Sequence, residues 1–131
     1  MIRKTTTIVI SLCFLATQGC QASESHALLE ARLKLKNYGL AYCMKENTTE
    51  KNGQPYLDYA RASSAYLQTG SHSFATYNKV AFFIDENYVQ SAFKGYEGDN
   101  IFISCLKLYN SPSYEHYIAQ LDTDTYSIAE K

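Results

Sequence analysis

Few side chains in this chain can do covalent chemistry. Beyond residue 22, Cys43 or Cys105 with His72 or His116 is the one nucleophile and base set available. Hydrolysis through such a set needs a thiolate, a base within hydrogen-bond reach and a group that orients the base. Both cysteines stand in apolar runs with no adjacent cation, a setting that leaves a thiol protonated and inert. His26, His72 and His116 lie far apart without ligand-like spacing, so they read as solvent-exposed and no metal site is expected. Asp85-Glu86 and Asp122/Asp124 read as solvated faces rather than an acid and base pair. Gly95 and Gly98 have neither the spacing nor the lysine of a phosphate-cradling loop. Chemistry of the chain's own, and any cofactor, are therefore not expected.

The compartment decides what the cysteines do. Residues 1–22 have the form of a secretory signal peptide: Arg3 and Lys4, an apolar stretch over 8–16, then small residues, with cleavage expected after Ala22. The apolar run is too short for a permanent membrane span. Gly19-Cys20 also opens a lipid-attachment reading, although Thr17 and Gln18 suit it poorly. Losing Arg3 and Lys4 takes the formal charge from -1 to -3, and no basic patch suits nucleic acid. Residues 23–131 are enough for one domain. Of four cysteines only Cys43 and Cys105 then remain. In an oxidising compartment, expected to be the periplasm, two such cysteines most often pair. Two buried free thiols are the alternative. A bond between them would add roughly 4 kcal/mol in the chain-entropy model.

Apolar spacing is helical throughout, which predicts an all-α bundle of about five helices stapled by one disulfide. Over 25–46, Leu29, Leu33, Leu40, Cys43 and Met44 form one stripe, with Lys36 as its exception. "NTTEKNG" breaks the helix. Pro55 suits the start of a second helix, with Tyr56, Tyr59, Ala60, Ser63 and Leu67 on one face and Gly70 just past its end. Ser71 or Ser73 can cap a third helix over 74–93, with Phe74, Tyr77, Ala81, Ile84 and Tyr88 inward. Phe83 points the other way, among Lys79, Glu86 and Gln90. Asp99 can cap a fourth helix carrying Ile101, Cys105, Leu108 and Tyr109, and Ser111 with Pro112 opens a fifth with Tyr114, Tyr117, Ile118 and Leu121 inward.

Twelve tyrosines, all beyond residue 22, are the outstanding compositional feature. Most fall on inward faces, where a core ring with a hydrogen-bonded hydroxyl is the plain reading. Tyr96 does not: it lies in "KGYEGDN" between two glycines and beside acids, as an exposed anchor for a partner's pocket would.

"LKNYGLAYCMKEN" and "FISCLKLYNSPSYEHYIAQL" resemble the immunity proteins of type VI secretion amidase effectors. The matching residues are Asn37-Tyr38 and Cys43 in the first helix, and Cys105-Leu106-Lys107-Leu108-Tyr109 in a late one. "DYARASSAY" resembles the family's small-residue second helix. The 94–100 loop is shorter than in the family. The resemblance implies a periplasmic homodimer that occludes the cleft of a Cys-His amidase cutting peptidoglycan stems, with no catalytic residues of its own. Lys94, Tyr96, Glu97 and Asp99 are the expected effector contacts, and Lys79, Phe83 and Glu86 a second patch or dimer surface. Two other readings compete: a helical acid-stress chaperone of the periplasm, and an enzyme using Cys43 or Cys105.

Overall fold

A computed structural model describes the backbone of residues 18–92 and 100–129, and the side chains of 26–92 and 100–122. Among the described residues there are five helices: α1 (Gln18–Asn47), α2 (Gln54–Thr69), α3 (Phe74–Asn87), α4 (Ile101–Tyr109) and α5 (Pro112–Ala129). No strand occurs among the described residues. Each of α2 to α5 packs against α1, which is the central rod of the bundle.

Local chemistry sets the ends. Asn47 Nδ2 donates to the Cys43 carbonyl at 2.9 Å and Thr48 Oγ1 to that of Met44 at 2.7 Å, so polar side chains satisfy the last carbonyls of α1. Lys51 Nζ adds a cation there, 2.6 Å from the Glu46 carbonyl. Pro55 stands in the first turn of α2. Ser73 caps α3, its hydroxyl accepting from Thr76 N at 3.2 Å. Ser111 does the same for α5 by accepting from Tyr114 N at 3.2 Å. Gly70 ends α2 with φ -80°, which any residue tolerates. Its reason is closeness: an added Cβ would lie 1.6 Å from the Tyr77 hydroxyl, which donates to the Tyr66 carbonyl.

The core comprises Leu35, Tyr38, Cys43, Met44, Tyr77, Val80, Ile84, Cys105, Leu108, Tyr114, Ile118 and Leu121. Cys43 and Cys105 are bonded to each other within it, with Cα atoms 5.8 Å apart, and close 62 residues of chain. The fold class and its disulfide are as the sequence predicts.

Three faces differ from expectation. On α1, Leu29 and Leu33 are 59% and 51% exposed, while Ala31, Leu35 and Tyr38 are buried. Leu40 lines the gap between α2 and α4, whereas Leu29 and Leu33 stand on an uncovered side of α1. The third helix ends at Asn87, not 93, and its first residue, Phe74, is exposed. The Tyr88 N–H still bonds Ile84 O at 2.9 Å, after which the backbone turns extended. Phe83 is turned inward, stacked on Tyr117 at 4.4 Å; Phe82, 65% exposed, is the outward aromatic of α3.

Candidate functional site

The two motifs at opposite ends of the chain are the two halves of one joint. The disulfide ties α1 to α4 at Cys43 and Cys105. Nearly two turns before Cys43, Asn37 Oδ1 accepts from the hydroxyl of Tyr109, one turn after Cys105, at 2.9 Å. Lys36 Nζ sits 4.4 Å from the centroid of the Tyr109 ring and pairs with Glu115 of α5. Gly39 completes the joint: Tyr114 lies so close that its hydroxyl reaches the Lys36 carbonyl at 3.0 Å across the bare Cα. Burial pushes the Tyr114 phenol up from its ordinary value, so it stays a donor. These residues hold three helices in register, and that is a structural role.

The joint also disposes of cysteine catalysis. Both sulfurs are in a buried disulfide, so neither can be a thiolate nucleophile. His116 is exposed, 3.0 Å from Gln120 Nε2. His72 is not the exposed histidine expected. Its side chain is buried, with Nε2 2.6 Å from Asp122 Oδ1, and Arg32 pairs with the other carboxylate oxygen. Asp122, only 2% exposed, is likewise no solvated face. This cluster, which the sequence reading missed, fastens the α2–α3 turn and α5 to α1. One signal for it was available: Asp122 falls one turn after Ile118, on the inward face of α5. Asp85 does stand at the surface, where it accepts from the Tyr42 hydroxyl at 3.0 Å. Among the described residues, no group of three His, Cys, Asp or Glu could hold a metal ion.

Lys94, Tyr96, Glu97 and Asp99 lie outside the described residues. The residues on either side of them are well placed. Ser91, just past α3, and Asn100 and Ser104, at the start of α4, are hydrogen-bonded to one another. A polar groove of about 410 Å³ opens beside them, lined by Ser91, Ser104, Lys107 and Ser111 among others. Lys79 and Glu86 are exposed on α3, but Phe83 does not join them: it packs against Tyr114 and Tyr117. The Tyr117 hydroxyl donates to the Lys79 carbonyl at 3.2 Å. A second, apolar groove of about 350 Å³ lies between α2 and α4, floored by Leu40, Ala41 and Met44 and edged by Tyr59 and Phe102.

Among the described residues the bundle presents exposed grooves and no assembled catalytic group. Residues 34–118 match the family Tai4, the type VI secretion system (T6SS) amidase immunity proteins. The chain belongs to that family, and its family role is immunity rather than catalysis. No curated relative matches the chain, and no solved structure does.

Proposed function

We propose that the chain binds a T6SS-delivered peptidoglycan amidase and inhibits it by covering the active-site cleft, sparing the producing cell and its siblings. Membership of the amidase immunity family over residues 34–118 carries this reading. Tyr96 would fill the substrate groove, with Glu97 and Asp99 as mimics of acidic peptide stems and Lys94 at the rim. The family motifs hold the bundle together, which supports assigning recognition to residues outside them.

The site of action we propose is the periplasm, reached through the leader at 1–22; no helix among the described residues is long and apolar enough to cross a membrane. We propose further that the chain works as a homodimer able to engage two amidase molecules. The exposed Phe102 at the edge of the apolar groove, with Leu40 and Met44 on its floor, supports a self-association surface. Light scattering gives the assembly state directly. The inhibitory reading is tested by gel filtration of chain and amidase together, with wild type and with Tyr96→Ala/Glu97→Ala/Asp99→Ala. Co-elution for the first and separate peaks for the second are expected. Co-elution of both would remove the segment from the contact.

A further inference from the structure

The fourth helix reads "IFISCLKLY" and carries one charged residue, Lys107. A helix that is apolar on all sides belongs under cover on all sides. One face of α4 is covered: Ser104, Cys105 and Leu108 are buried, and the disulfide fixes Cys105 to α1. The other is bare, with Phe102 57% and Ile103 36% exposed. Phe102 stands at the edge of the apolar groove between α2 and α4. Small residues, Ala41 of α1 and Ala62 of α2, keep that groove open. At about 350 Å³ it has room for one large side chain. No charged residue lines it, so an ion placed there would be left unpaired. What fits is a bulky, uncharged side chain.

We propose that Phe102 of a second copy of this chain fills the groove, while the first chain's own Phe102 fills the groove of that copy, about a two-fold axis. This rests on the reading of the chain as a homodimer and names its contact. Knob and hole lie side by side on one face, which is the condition for an isologous interface: one rotation satisfies both at once. The charges on the rim agree. Asp58 and Arg61, next in the chain to the groove residues Tyr59 and Ala62, form an exposed ion pair at 3.1 Å. A rim that carries both signs complements its own copy, Arg61 of one chain toward Asp58 of the other. A partner of one sign would meet a like charge. Rim charges of this kind orient a contact more than they tighten it. The tightening comes from two aromatic rings leaving water together.

The experiment measures the mass of the purified chain by light scattering over a dilution series, for wild type, Phe102→Ala and Ala62→Leu. The first variant removes the knob, and the second fills the hole from within. Phe102 is more than half exposed in one chain, so its truncation should leave the bundle folded, which circular dichroism checks. Wild type is expected at twice the mass of one chain. Each variant alone should dimerise roughly a hundredfold more weakly, because the axis removes two contacts at once. Mixing the two variants should restore a dimer, since one chain keeps its knob and the other keeps its hole. That result would also show that both variants fold. Dimers as tight as wild type in both variants would overturn the Phe102 contact and leave the homodimer reading standing. Folded variants that fail to pair when mixed would overturn the reciprocal contact as well. A wild type that stays at single mass at the highest concentration would overturn the homodimer and the contact together. Amidase binding lost in Phe102→Ala, with the wild type a monomer, would give the groove to the effector and overturn the proposal.

Discussion

Gly39 and Asp122 are the two residues on which the bundle is least tolerant. An added Cβ at Gly39 would meet the Tyr114 hydroxyl oxygen at 1.9 Å and Cζ at 2.9 Å. Alanine gains about 1 kcal/mol of helix propensity over glycine, whereas forced overpacking of a core costs roughly 1–3 kcal/mol. With Tyr114 wholly buried the second effect wins, and Gly39→Ala should destabilise by about 2 kcal/mol in urea unfolding. In a Tyr114→Phe background the nearest clash is gone, so the same change should cost less, a coupling that a double-mutant cycle measures. Asp122→Ala strands a buried imidazole, whose Nδ1 already has no hydrogen-bond partner, and frees Arg32. A loss of about 3 kcal/mol is expected, against well under 1 kcal/mol for Asp58→Ala, whose partner Arg61 is solvent-exposed. Gly39 did not announce itself in the sequence, and Asp122 did so only by its place one turn after Ile118. A glycine inside a helix shows its purpose only when the neighbour opposite is known. A histidine and an aspartate 50 positions apart give no pattern of their own.

At the scale of elements, the weld between α1 and α4 decides most. Cys43→Ser/Cys105→Ser should lower stability by roughly 2–5 kcal/mol, since the closed loop is long. Thiol titration of the native, unreduced chain should find neither Cys43 nor Cys105; two titratable thiols there would contradict the buried bond. The starts of α2, α3 and α5 were legible because serine caps, Pro55 and Pro112 act locally, whereas α1 begins at Gln18 rather than 25 and α4 has Asn100, not Asp99, at its N-cap. The inward face of α1 was not legible. Leucine counts heavily in a periodicity reading, yet here Leu29 and Leu33 are exposed, while Tyr38 and small Ala31 are buried. A central helix meets neighbours on several sides, so no single stripe marks its core. The end of α3 was misjudged for a related reason. Residues 88–92 keep an apolar pattern, but Ser91 spends its N–H on Ser104 instead of a helical carbonyl.

Across the whole molecule, tyrosine shares the core with leucine, Tyr38, Tyr77 and Tyr114 beside Leu35, Leu108 and Leu121, and this sets its response to pH. Burial, joined at Tyr42 by the hydroxyl's bond to the Asp85 carboxylate, pushes the phenols of Tyr38, Tyr42, Tyr77, Tyr114 and Tyr117 up from their ordinary value of 10.0. The folded chain therefore holds protons that the unfolded chain gives up first. Stability is fully present below about pH 10 and falls as pH rises above it. Unfolding by circular dichroism and the appearance of tyrosinate absorbance should coincide; tyrosinate signal well before unfolding would contradict it. The tyrosine count was visible in the sequence, and so were the motifs that place the chain in the amidase immunity family. Which surface meets the effector was not, because recognition depends on the partner's shape. The measurement that bears most directly on the central claim is peptidoglycan hydrolysis by an amidase effector from the same genome, titrated with purified residues 23–131. Activity that falls in proportion to added protein and vanishes at stoichiometric equivalence is the predicted result. Hydrolysis that continues undiminished at excess inhibitor, with no complex on gel filtration, would contradict it.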